Sequence, residues 1–164
     1  MNLRDIQHPI KERYQESPAA AWVTLRAEGG TPGGDAMACS VDIGRAIYAA
    51  GAHPGVGGSG ASACSGDLLL GALAACAQIT GQMVAANMGL GDIGLRVSVE
   101  GDLDLRGTLG TPGVPVGFQA IRVEFRVTGS IEPDRLERLR ERTERYCVVL
   151  QTLTAAPALT TTWR

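Results

Sequence analysis

The run from Cys64 to Thr80, Cys-Ser-Gly-Asp-Leu-Leu-Leu-Gly-Ala-Leu-Ala-Ala-Cys-Ala-Gln-Ile-Thr, leaves the chain few choices of fold. Ser65 can cap the first free backbone N–H groups, and Asp67 sets a negative charge against the positive end of the helix dipole. From Leu68 to about Asn87 there is no proline, and Leu, Ala, Gln and Met dominate, so a helix is favoured over a buried strand. Gly71 and Gly81 each weaken it. Gly71, Ala74, Ala75, Gln78, Gly81 and Ala85 form a stripe that a neighbouring backbone can approach; Leu69, Leu73, Cys76, Ile79 and Met83 form a bulkier face. A helix apolar on most sides is expected to be buried between a sheet and a second helix or a partner subunit. With its glycine breaks it reads as too short to span a membrane. Cys76, taken alone, reads as a small buried hydrophobe with an inert thiol.

A second landmark changes the reading of Cys76. In Glu144-Arg-Tyr-Cys-Val-Val-Leu-Gln-Thr-Leu153, Cys147 follows a strongly charged helix and precedes the β-branched Val148 and Val149, a natural place for a helix to break. If a new helix starts there, its positive end lies beside Cys147 and Arg145 adds a cation, and both favour thiolate. Two such cysteines can cooperate.

The rest of the chain supplies the fold class. Residues 1–18 read as an N-terminal arm, with Lys11, Glu12, Arg13 and Glu16 on a short helix ending at Pro18, and residues 19–164 read as one domain. From Ala19, residues Ala21, Val23, Leu25 and Ala27 alternate with Trp22, Thr24, Arg26 and Glu28 as a half-buried strand, and Gly29–Gly34 makes a turn. Met37, Cys39, Val41 and Ile43 share the apolar face of the next strand. A hairpin through Asp42–Gly44 leads to a third strand, from Arg45 to Ala50. The glycine-dense loop Gly51–Gly60 lacks either phosphate-binding glycine pattern and is expected to be a mobile loop near the site. Leu95, Val97 and Val99 mark another strand, 106–117 a loop, and Ile121, Val123, Phe125 and Val127 the clearest strand of all. Pro133 opens a charged amphipathic helix, and Leu159, Thr161 and Trp163 suggest a closing edge strand. The order β-β-β-α-β-β-α-β is α+β, with antiparallel sheets and segregated helices.

Composition narrows the function. Fifteen basic and 17 acidic residues give a net charge of −2, so no broad pull toward nucleic acid or an acidic membrane is expected. The first residues lack the apolar core of a signal peptide, which points to the cytoplasm, where four cysteines are expected to be reduced and catalytic or redox-sensing. His8, His53 and Cys64 show no metal-ligand spacing, so neither a metal nor a bound cofactor is expected.

The two cysteine segments together resemble the OsmC/Ohr family, whose members carry an ELLLAALAAC-T-like helix and a later RYC-VxxQTL-like segment. The corresponding residues here are Asp67-Leu-Leu-Leu-Gly-Ala-Leu-Ala-Ala-Cys76 and Arg145-Tyr-Cys-Val-Val-Leu-Gln-Thr-Leu153. Gly101–Gly110 and Pro115–Val123 also look like family sequence, so the resemblance covers roughly residues 20–164. It implies two sheets around two central helices in an intertwined homodimer with active sites at the subunit interface. It further implies that Cys76 is the peroxidatic and Cys147 the resolving cysteine, with Asp67 as a supporting acid matching that of more distant members. The expected reaction is reduction of organic hydroperoxides in oxidative stress defence, reset by an external dithiol. A pocket lined by Leu69, Leu73 and Ile79 would suit an apolar hydroperoxide.

The chain departs from the family pattern in three places. Thr31 and Pro32 stand where the peroxidase branches have an arginine, so Arg26 or Arg45 would have to substitute. Gly66 stands at their glutamate, and Ser65 at the proline of the distant members. The alternatives are an OsmC-like protein that binds a small apolar ligand or acts on another thiol-reactive compound, and a structural dimer module with inert cysteines.

Overall fold

A computed structural model describes residues 3–21, 24, 28–30, 38–42 and 47–164. Trp22, Val23, Leu25, Ala27, Thr31, Pro32 and the two arginines Arg26 and Arg45 lie outside the described residues, so the expectations resting on them are not addressed. The chain gathers into two compact units. One runs up to Leu70 and includes Glu100–Ile121, and the other comprises Gly71–Val99 and Arg122–Arg164.

The first unit opens with α1 (Leu3–Glu16). It stops before Pro18, since the residue preceding a proline is pushed out of the helical region. Pro18–Ala21 then form a 3-10 turn where the strand was expected to begin. A three-stranded antiparallel sheet follows, with β2 (Ala38–Asp42) between β1 (Glu28–Gly30) and β3 (Ile47–Gly51). Gly30 pairs with Ser40 and Asp42 with Ile47, so Gly29 and Gly30 belong to a strand and not to the expected turn.

The glycine loop carries hydrogen bonds of its own. His53 Nδ1 accepts the N–H of Gly55 at 3.0 Å, and the N–H groups of Val56 and Gly58 both reach the His53 carbonyl. Ala63 then pairs with Ala50 beside β3. The segment expected to be a loop after residue 105 begins as a single helical turn, α3 (Leu105–Thr108), because the Asp104 carboxylate accepts the Arg106 N–H and so caps it.

The second unit holds most of α2 (Ser65–Asn87), whose length matches the sequence reading closely. Val84, Ala85, Leu90 and Leu139 form its core, with Met88, Ile93, Val127 and Ile131 packed on them. Strands β4 (Gly94–Leu103) and β5 (Phe118–Thr128) pair as a hairpin. Ser98 bonds Glu124 and Gly94 lies against Thr128, so the two strands are antiparallel, and both alternate between half-buried and exposed residues as their sequences require. Helix α4 (Pro133–Tyr146) starts at Pro133, buries Leu139 and Thr143, and leaves Glu137, Arg140 and Glu144 paired in solvent.

Two expectations are corrected here. The tail after α5 (Val148–Thr154) forms no strand: Leu159 is 89% and Trp163 94% exposed. Alternating residues make a strand only where an edge is available to pair with. By length and composition α2 is also long and apolar enough to cross a membrane, at 23 residues and a mean hydropathy of 1.6 in its best window. The sequence reading underestimated it by weighing the glycines, which do not shorten an apolar run.

Candidate active site

Helix α2 docks on β4 through one side chain. The Gln78 amide imitates a peptide group: its Nε2 donates to the Leu95 carbonyl and its Oε1 accepts the Val97 N–H, both at 2.9 Å. At Gly81 a Cβ would meet the end of the Leu95 side chain, and Thr143 Cγ2 lies 3.5 Å from the same position, so α2 packs closely on β4 and α4 here. Buried Leu73, Ala77, Gly81, Val84 and Ala85 follow the helical repeat down the packed face. On the other side Leu69, Ile79 and Met83 are exposed, and Cys76 is half-buried.

Cys147 occupies the break between α4 and α5, with extended backbone angles. Its N–H closes the last turn of α4 on Thr143 O, and its carbonyl accepts the Gln151 N–H to open α5. A single residue therefore ends one helix and starts the next, and its side chain is completely buried. The Leu150 and Val149 N–H groups of α5 bear on the Cys147 sulfur. The N–H groups of Val148 and Val149, at the start of α5, also bear on the sulfur of Cys76, beside the Cys147 thiol. The two sulfurs that the sequence singled out thus meet within one chain.

Their environments push the two thiols apart. Burial disfavours charge on Cys76, but the Val149 N–H, the Cys147 thiol, the Thr80 hydroxyl and the Val148 N–H outweigh it, and its pKa falls below that of an ordinary thiol. At Cys147 burial dominates, the Leu150 N–H compensates only in part, and the neighbouring Cys76 sulfur disfavours a second charge, so this thiol is pushed up. The expectation that Cys147 would be the activated thiolate is reversed. The first amides of α5 bear on both sulfurs, burial outweighs them only at Cys147, and the Arg145 guanidinium lies over the Tyr146 ring at 5.6 Å. The two neighbouring thiols are thus unequal, Cys76 the more readily ionised, and a disulfide between them would require a two-electron oxidant.

Asp67 stands at the other end of α2, in the first unit. Its carboxylate accepts the Cys64 N–H at 2.9 Å while Cys64 Sγ accepts the Asp67 N–H at 3.4 Å, a reciprocal cap in which cysteine takes the place of serine. The capping residue is therefore Cys64 and not Ser65. These bonds, led by the one from the Cys64 N–H, hold the Asp67 carboxyl below the usual range. Asp67 is thus engaged two and a half helical turns before Cys76. Leu73, expected to line a pocket, is 1% exposed and offers a ligand no surface. Among the described residues no cluster of three or more His, Cys, Asp or Glu could hold a metal ion. Sequence reasoning missed Gln78 and the α5 amides; the only available signal was that Gln78 lies on the same side of a strongly apolar helix as the small residues.

An α+β fold with paired antiparallel strands, a long small-residue helix and two thiols in contact defines a class of proteins with a cysteine pair at the core of a helix–sheet unit. The profile of the OsmC-like protein family matches residues 58–162, and the chain belongs to that family. No curated protein matches it in sequence. Among solved structures, the OsmC-like protein from Mycoplasma pneumoniae superposes with a TM-score of 0.65 at 16% identity, covering 82% of this chain and 89% of that one. The organic hydroperoxide resistance protein OsmC from Legionella pneumophila gives 0.56 at 18% identity, covering 82% and 92%. The organic hydroperoxide resistance protein OhrB of Bacillus subtilis gives 0.51 at 18% identity, covering 82% and 93%.

Proposed function

We propose that the protein is a cysteine-based peroxidase that reduces organic hydroperoxides through Cys76 and Cys147. The observation that carries this reading is the contact between a thiol favoured as thiolate and a second thiol kept protonated. The Cys76 thiolate attacks the terminal peroxide oxygen, the O–O bond breaks, and the alkoxide leaves and is protonated to an alcohol. Cys76 is then a sulfenic acid. Cys147 condenses with it, an S–S bond forms, and water departs. An external dithiol resets the pair by two exchanges and is itself oxidised.

The exposed apolar face of α2, with Leu69, Ile79 and Met83, supports a homodimer, because a helix of this composition is expected to be covered. The reading places the protein in the cytoplasm, in oxidative stress defence, and two members of its fold carry hydroperoxide resistance in their names. A second reading, the binding of a small apolar ligand, is favoured by a cavity of about 390 Å³ lined by Leu95, Val123, Phe125, Val127, Leu136 and Leu139.

The test is turnover of cumene hydroperoxide with a dithiol reductant by the wild type, Cys76→Ser and Cys147→Ser. The proposal expects turnover in the wild type, none in Cys76→Ser, and in Cys147→Ser a loss of multiple turnover with the first oxidation retained. An inactive wild type that carries an extractable apolar molecule would replace the first reading with the second.

A further inference from the structure

We infer that Thr80 is a positioning residue whose hydroxyl donates to the sulfur of Cys76 and holds it as a nucleophile; this rests on the reading of Cys76 as the attacking residue.

The geometry is local and rigid. Thr80 follows Cys76 by one helical turn on α2, the spacing at which side chains of a helix meet, and its Oγ1 lies 4.0 Å from Cys76 Sγ.

The groups acting on the sulfur narrow the role of this hydroxyl. They are the N–H groups of Val149 and Val148, the Cys147 thiol and the Thr80 hydroxyl, all of them uncharged. Two are backbone, fixed by the start of α5. The third is the other redox thiol, which is consumed when the disulfide forms. Thr80 is the side-chain donor in this set that survives the whole cycle unchanged. Hydrogen bonds to the charged form favour it, so the hydroxyl raises the fraction of thiolate at neutral pH. The Cys147 thiol, at the junction of α4 and α5, is the titratable member of the set; the amides and the hydroxyl do not titrate in this range.

The test compares wild type, Thr80→Val and Thr80→Ser by the rate at which iodoacetamide modifies Cys76 between pH 5 and 10, read by peptide mass spectrometry, with a melting temperature for each variant. Thr80→Val keeps the shape and removes the hydroxyl; Thr80→Ser keeps the hydroxyl and removes the methyl. The expected result is a Cys76 rate at pH 7 reduced by about three- to tenfold in Thr80→Val, with the midpoint of the profile moved up by about half to one pH unit, and Thr80→Ser within about twofold of wild type. A Thr80→Val profile that overlays the wild type overturns the inference. So does a Thr80→Ser profile displaced as far as that of Thr80→Val, which would assign the effect to packing. Alkylation needs no peroxide, so a wild type without turnover would defeat the proposed function and leave this result standing on its own.

Discussion

Replacing Gln78 should do more damage than its half-buried position on α2 suggests, because its amide completes two backbone groups of β4 at once. In Gln78→Ala both the Leu95 carbonyl and the Val97 N–H lose their partner. Each bond contributes about 1 kcal/mol net, and a partly buried group left unpaired adds a further fraction of its desolvation cost, so the loss should be about 2–3 kcal/mol. For a chain of this length 1 kcal/mol moves the melting temperature by about 2–4 °C, which predicts a fall of about 5–10 °C. Gln82→Ala, one turn further along at an exposed position, is the control and should change the melting temperature by no more than about 2 °C.

A charged variant makes the argument directional. In Gln78→Glu one oxygen can still accept from Val97, but the other can face the Leu95 carbonyl only when protonated. The folded-state pKa of that carboxyl is therefore raised above the unfolded value of about 4.3. Its contribution is fully present below about pH 4.3 and is lost as pH rises through the folded pKa. Thermal melts of the three variants from pH 4 to 8 measure this. If Gln78→Ala melts with Gln82→Ala, or if Gln78→Glu shows no added loss on raising the pH, the docking role of Gln78 is refuted.

Asp67→Ala removes the acceptor for the Cys64 N–H and should cost about 1 kcal/mol in urea denaturation at pH 7. Because the Asp67 pKa is depressed, that contribution exists above its unfolded pKa of about 3.9 and disappears as pH falls, so wild type and variant should converge in acid. The cysteine pair predicts opposite slopes on either side of an ordinary thiol pKa of about 8.5. Stability should rise with pH below that value, where native Cys76 has released its proton and the unfolded chain has not, and fall above it, where native Cys147 keeps the proton. The mutants Cys76→Ser and Cys147→Ser should each abolish one limb in pH-dependent denaturation. The proposed homodimer predicts that Ile79→Glu, on the exposed face of α2, lowers the mass seen in light scattering from that of a dimer to that of a monomer and leaves the helix content unchanged.

The elements that could be read from sequence are those in which local preference and packing agree. Helix α2 declares itself through its composition, and β4 and β5 through strict alternation. Pro133 marks the start of α4, and Val148 and Val149 mark the helix break that places Cys147. The errors arose where a partner decides the outcome. The alternation of Leu159, Thr161 and Trp163 is not matched by pairing with either described sheet. Ser65 looks like a cap, but the helix begins one residue earlier, where Cys64 and Asp67 satisfy each other. At the candidate site the two cysteines were legible as residues, while the inversion of their acidities was not. That inversion depends on how burial balances against the amide and side-chain hydrogen bonds at each sulfur, and this is fixed by the packing of α2 against the α4–α5 junction.

The most direct test of the account is non-reducing peptide mapping of the fully reduced protein after one equivalent of cumene hydroperoxide. The account predicts a single new linkage, between Cys76 and Cys147 of the same chain, with Cys64 still free. Recovery of both thiols unmodified, or of Cys76 joined to any other cysteine, would contradict it.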